Sequence, residues 1–129
     1  MTPWIYEQST GMFYLNGVGK GIGYAGNGIY KNSPAAESIK NHGPLPRGLY
    51  TLLEPVDTKT HGPYVMWLVP DPANEMFGRS GFGIHGDSVI DPGTASEGCI
   101  CCPRQTREKI WNSGIRTLDV VDYFKKETA

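Results

Sequence analysis

Apolar and polar positions alternate in short runs along this chain, and long stretches with a helical period are missing. Residues 4–7 (Trp-Ile-Tyr-Glu) and 12–15 (Met-Phe-Tyr-Leu) flank Gln8-Ser9-Thr10-Gly11, which predicts an opening hairpin. Residues 17–28 are glycine-dense, with Ile22 and Tyr24 among them and Ile29 just beyond. No Gly-Lys-Ser/Thr and no helical pattern follow, so the stretch reads as a strand in close backbone packing, not a phosphate loop. Residues 31–43 read as a polar loop carrying one helical turn at 35–39. Gly43-Pro44-Leu45-Pro46-Arg47-Gly48 is a stiff turn into a strand over 49–53.

A second strand is expected over 64–69, closed by Pro70, and a loop over 71–78. Gly81-Phe82-Gly83-Ile84-His85 then reads as a short strand that delivers His85 at its end. Pro103 suits the first position of a helix over 104–112, ended by Ser113-Gly114. Residues 116–123 make a final strand around Leu118, Val120 and Val121. The pattern predicts a mainly β domain, a sandwich or partly closed barrel, with one short helix after Cys99.

At 129 residues the chain is expected to form a single domain over 1–129, and its 17 Gly and 10 Pro fit short strands joined by turns. The formal net charge is −1 and the basic residues are scattered, apart from Lys125-Lys126, which reads as solvated surface. Nothing here favours nucleic acid or an anionic membrane as partner. Residues 1–7 lack a basic stretch followed by an apolar run, and no segment is long enough to span a bilayer. The expectation is a protein made in the cytoplasm without a signal peptide, with no membrane insertion.

Cys99, Cys101 and Cys102 lie within four residues, a poor framework for disulfides, and adjacent cysteines do not pair without severe strain. His42, His61 and His85 occur singly, without metal-ligand spacing, so no metal and no cofactor are expected.

The chemistry concentrates in His85-Gly86-Asp87 and Ser96-Glu97-Gly98-Cys99-Ile100. A thiol attacks a carbonyl as thiolate, and imidazole has the right basicity to take its proton and return it to a leaving amine. Backbone N–H groups at the Gly98-Cys99 turn would hold the oxyanion. The Gly86 carbonyl or the Asp87 carboxylate would orient His85, and the Ser96 hydroxyl would fix the turn. Asp87, Arg79, Ser96 and Tyr24 are the candidate residues on the substrate side. For Asp87 and Arg79, holding loops is the commoner role of such charges, and for Tyr24 it is packing in a β core. Cys101 and Cys102 read as packing residues.

These two blocks resemble the catalytic signature of the L,D-transpeptidases, and Pro44-x-Pro46-x-Gly48-x-Tyr50 resembles a strand start common in them. The likeness is closest to small L,D-transpeptidase-like antibacterial effectors of type VI secretion. It is carried by Trp4-x-Tyr6-x-Gln8-x-Thr10-Gly11, Gly23-Tyr24-Ala25-Gly26, Phe77-Gly78-Arg79-Ser80 and the two blocks themselves.

The resemblance implies Cys99 as nucleophile, His85 as base, the Gly86 carbonyl as its orienter, and the Gly98 and Cys99 amides as oxyanion hole. It implies peptidoglycan stem peptides as substrate, a cognate immunity protein and a secretion apparatus as partners, and action in the periplasm of a target bacterium. Glu97 stands where the broader family has histidine, and Cys101 where it has Arg or Asn. The His-to-Cys interval is short, which suits water or a free D-amino acid as acceptor. The residues leave two rivals open: a Cys–His amidase or endopeptidase, and a non-enzymatic peptidoglycan-binding or thiol–metal module.

Overall fold

The computed structural model describes residues 2–124, so Lys125-Lys126 lie outside the described residues. The described residues form ten strands and one α-helix. The strands are β1 (Trp4–Glu7), β2 (Met12–Leu15), β3 (Val18–Ile22), β4 (Tyr24–Ala25), β5 (Gly48–Leu52), β6 (Val56–Thr58), β7 (Gly62–Pro70), β8 (Gly83–His85), β9 (Ile100–Cys101) and β10 (Thr117–Val121). The helix α1 spans Arg104–Asn112. The fold is mainly β, as the alternating pattern predicts.

β1 and β2 form the expected hairpin, closed by Gly11 at φ 81° and by its N–H donating to the Glu7 carbonyl. The strands then follow one path, β3-β2-β1-β10-β5-β7-β8-β9-β4, with β6 added on β7. Two features of this path escape a strand-by-strand reading. β10 inserts between β1 and β5 and runs parallel to β1, with Tyr6 opposite Val120. β3 and β4 occupy opposite ends of the path, yet only Gly23 separates them in the chain. The sheet therefore curls until its ends meet.

Glycine makes that meeting possible. A Cβ on Gly23 would fall 2.3 Å from the Cys101 carbonyl oxygen and 2.9 Å from Cys102 Cβ. The glycine-dense segment is in close backbone packing, as its composition implies, but it forms two short strands, β3 and β4, broken at Gly23, and leaves the sheet after Ala25.

Inside the curl lie Trp4, Tyr6, Phe13, Tyr50, Met66, Ile84, Ile100 and Leu118, all buried. Ile110 joins them from α1, while Cys102 enters this core from the end of β9. The helix starts after Pro103 and stops at Ser113-Gly114, where Gly114 takes φ 80°. The helical turn expected at 35–39 is a 3-10 turn at Pro34–Ala36.

Candidate active site

β8 and β9 are neighbouring parallel strands, with Ile84 opposite Ile100 and His85 opposite Cys101. Parallel neighbours need a crossover, here the loop over 86–99, so His85 leads into that loop and Cys99 closes it. His85, Gly86, Asp87, Arg79, Glu97 and Cys99 all line one cleft of about 1110 Å3. Sequence positions far apart thus share one wall because of strand pairing.

His85 is buried, and its Nδ1 lies 2.7 Å from the Gly86 carbonyl oxygen. A carbonyl only accepts, so Nδ1 carries the ring proton and Nε2 holds the lone pair. Burial pushes the imidazole below its ordinary value, and the neighbouring His61 and Arg107 charges act the same way. The ring is neutral at pH 7 and its Nε2 is a base at rest. The Cys101 sulfur lies 3.8 and 3.9 Å from the two ring nitrogens, favouring neither. Burial pushes that thiol up to about 12, so Cys101 packs against the ring as a neutral group.

Cys99 is half-buried and its Sγ rests 3.7 Å from the Gly81 carbonyl oxygen. Burial raises its thiol above the ordinary value, and the Glu97 charge adds to this. The Gly83 and Cys99 amides and the Arg79 charge oppose the rise. Thiol and imidazole are therefore both neutral at rest, not a preformed thiolate–imidazolium pair.

The turn before the nucleophile is held from behind. Ser96 is buried; its hydroxyl accepts from the Gly26 amide at 2.8 Å and the Gly98 amide at 3.1 Å, and donates to the Cys99 carbonyl at 2.6 Å. The Gly98 amide, expected in the oxyanion hole, is thus committed to Ser96. The backbone groups that favour the thiolate of Cys99 are the Gly83 and Cys99 amides. Gly98 sits at φ 140°, and a Cβ there would fall 2.6 Å from Arg79 Nη2.

Arg79, expected on the substrate side, spends its guanidinium on backbone. Nη1 donates to the Glu37 carbonyl and, at 2.8 Å, to that of Pro44; Nη2 donates to Gly43 at 2.9 Å and Glu97 at 3.2 Å. The group ties the Pro-rich turn to the nucleophile loop. Asp87 and Tyr24 serve the same loop from its other end. The Tyr24 hydroxyl donates to Asp87 at 2.5 Å and accepts from the Ala95 amide at 3.0 Å. Asp87 also accepts from the Ser88 and Gly93 amides. Burial opposes ionisation of Asp87, but these donors hold its carboxyl below the ordinary value. Ser96 and Tyr24 stand behind the cleft wall.

Two cleft residues were not singled out from the sequence. The His61 ring lies 4.9 Å from the His85 ring, edge-on, and 5.3 Å from Trp67. Arg107 reaches from α1 to the edge of Gly86. Both carry no local motif; only the pairing of β7 with β8 and the docking of α1 bring them here.

Among the described residues no three His, Cys, Asp or Glu side chains converge as metal ligands, and no helix is long and apolar enough to cross a membrane. No curated protein and no solved structure matches the chain. The family model of the Tlde1 domain matches residues 20–124, from β3 through β10, and so spans every residue of the cleft. The chain belongs to the Tlde1 domain family, a family of type VI secretion effectors.

Proposed function

We propose that the chain is a peptidoglycan-modifying cysteine enzyme, an L,D-carboxypeptidase that also exchanges the terminal D-alanine of tetrapeptide stems for free D-amino acids. The observation that carries this reading is that His85, its Nδ1 held by the Gly86 carbonyl, lines the same cleft as Cys99. Effector family membership and the signature around both residues support the wall as target.

In this mechanism the sulfur turns from the Gly81 carbonyl toward His85, and Nε2 takes its proton as Sγ bonds to the carbonyl carbon of the third stem residue. The carbonyl oxygen becomes an oxyanion that accepts from the Gly83 and Cys99 amides. Collapse breaks the amide bond, and imidazolium returns the proton to the leaving amine of D-alanine. Water then attacks the thioester, His85 taking its proton, and the trimmed stem leaves with Cys99 restored. A D-amino acid in place of water gives exchange. Delivery by a secretion apparatus into the periplasm of a target cell, and neutralisation by an immunity protein, complete the reading.

Cys99→Ala tests it. Wild-type protein incubated with disaccharide-tetrapeptides should release D-alanine, read by mass spectrometry, and the variant should release none. Trimming by the variant would sink the mechanism, and release of longer fragments would make the enzyme an endopeptidase.

A further inference from the structure

Arg107 is a buried cation without an acid. It is 5% exposed, and no carboxylate pairs with it among the described residues. Its Nη1 donates to the Pro63 carbonyl at 2.8 Å and the Tyr64 carbonyl at 2.9 Å, which fixes the plane of the guanidinium. Its Nε is buried and unpartnered. Nη2 also makes no hydrogen bond to the described residues, but it is not shut away with Nε. Arg107 and Gly86 both line the cleft, and Nη2 lies 3.1 Å from where a Cβ on Gly86 would be. The missing side chain at 86 leaves that edge open.

The other cleft guanidiniums are spoken for. Arg79 spends both Nη atoms on carbonyls, and Arg104 pairs with Glu108 over the Tyr64 ring. A desolvated guanidinium with an open N–H edge is a site for a carboxylate, because a charge-assisted bond then replaces an unmet donor.

We propose that Arg107 Nη2 binds the terminal carboxylate of the stem, making the enzyme selective for a free C-terminal D-alanine. This rests on the carboxypeptidase reading above and adds the group that reads the chain end. The placement follows from the reaction. His85 protonates the leaving amine, and in D-alanine the carboxylate carbon lies only about 2.5 Å from that nitrogen. Arg107 borders Gly86, whose carbonyl holds His85. A carboxylate there stays within reach while the amine is at Nε2. A stem continued by a further amide bond has no charge to offer.

The test compares kcat/KM on a disaccharide-tetrapeptide ending in D-alanine with the same molecule ending in D-alaninamide, for wild type and Arg107→Gln. The wild type should prefer the free acid by about 10- to 100-fold, the range of one charge-assisted bond. Arg107→Gln should bring the ratio close to one, chiefly by losing activity on the acid. The ratio is insensitive to the fraction of folded enzyme.

A wild-type ratio near one overturns the subsite, as does a ratio left intact in Arg107→Gln. If that variant does not fold, Arg107→Lys decides: the point charge should give an intermediate ratio, and an unchanged one overturns the proposal. Wild type inert on both substrates overturns the enzymatic reading, and the subsite with it.

Discussion

Ser96 shows how much of this site rests on a single hydroxyl. Its oxygen satisfies two amides and one carbonyl, all around the nucleophile turn, with no solvent to take over. Ser96→Ala should therefore cost about 2–4 kcal/mol of stability, since buried groups left unpaired lose their full desolvation penalty. Urea denaturation would measure it, and a loss under about 0.5 kcal/mol would show that the hydroxyl is dispensable. His85 carries a second prediction. Its folded-state value is depressed, first by burial, so the unfolded chain takes up this proton before the folded one does as pH falls. The stability linked to His85 is complete above the ordinary imidazole value of about 6.5 and is lost as pH drops toward the folded value. Thermal melts should fall over that window, and His85→Gln should flatten the fall. The acidic limb of kcat/KM should lie below the same ordinary value; a limb at or above it would contradict the neutral resting imidazole.

Among the elements, the junction of β3 and β4 is the most exacting. Gly23 has no room for a side chain against the Cys101 carbonyl, and that backbone cannot retreat without pulling β9 from β8. Gly23→Ala should destabilise by about 1–3 kcal/mol or more through overpacking. It should also lower activity beyond what folding explains, because β9 carries the strand face beside His85. Near-wild-type melting with normal turnover would show that the junction has slack. The same region marks what the sequence could reveal. The hairpin of β1 and β2, the cores of β5 and β7, the end of β8 at His85 and the bounds of α1 follow from alternation, proline and glycine. β6 is Val-Asp-Thr and β9 only two residues, too short and, in β6, too polar to stand out. Cys99 and His85 are legible because their chemistry is local to two short blocks. Arg107 and His61 are not, because each is an ordinary polar residue until helix docking or strand pairing brings it to the cleft.

For the whole molecule, the place of β10 matters most. Removing residues 116–129 would not trim an edge; it would leave β1 and β5 without the strand that joins them. Such a truncation should give no cooperative unfolding transition by circular dichroism, whereas a folded, cleavable core would place the stability elsewhere. The alternation of residues 116–123 marks a strand, but not where it goes, since the partner of a parallel strand is set by packing across the entire chain. This position also governs when the cleft can exist during synthesis. Residues 4–7 leave the ribosome long before their central neighbour, which is missing until 117–121 have emerged. Nascent chains therefore carry both His85 and Cys99 before the sheet that holds them together is finished, and the cleft is assembled only once β10 has emerged.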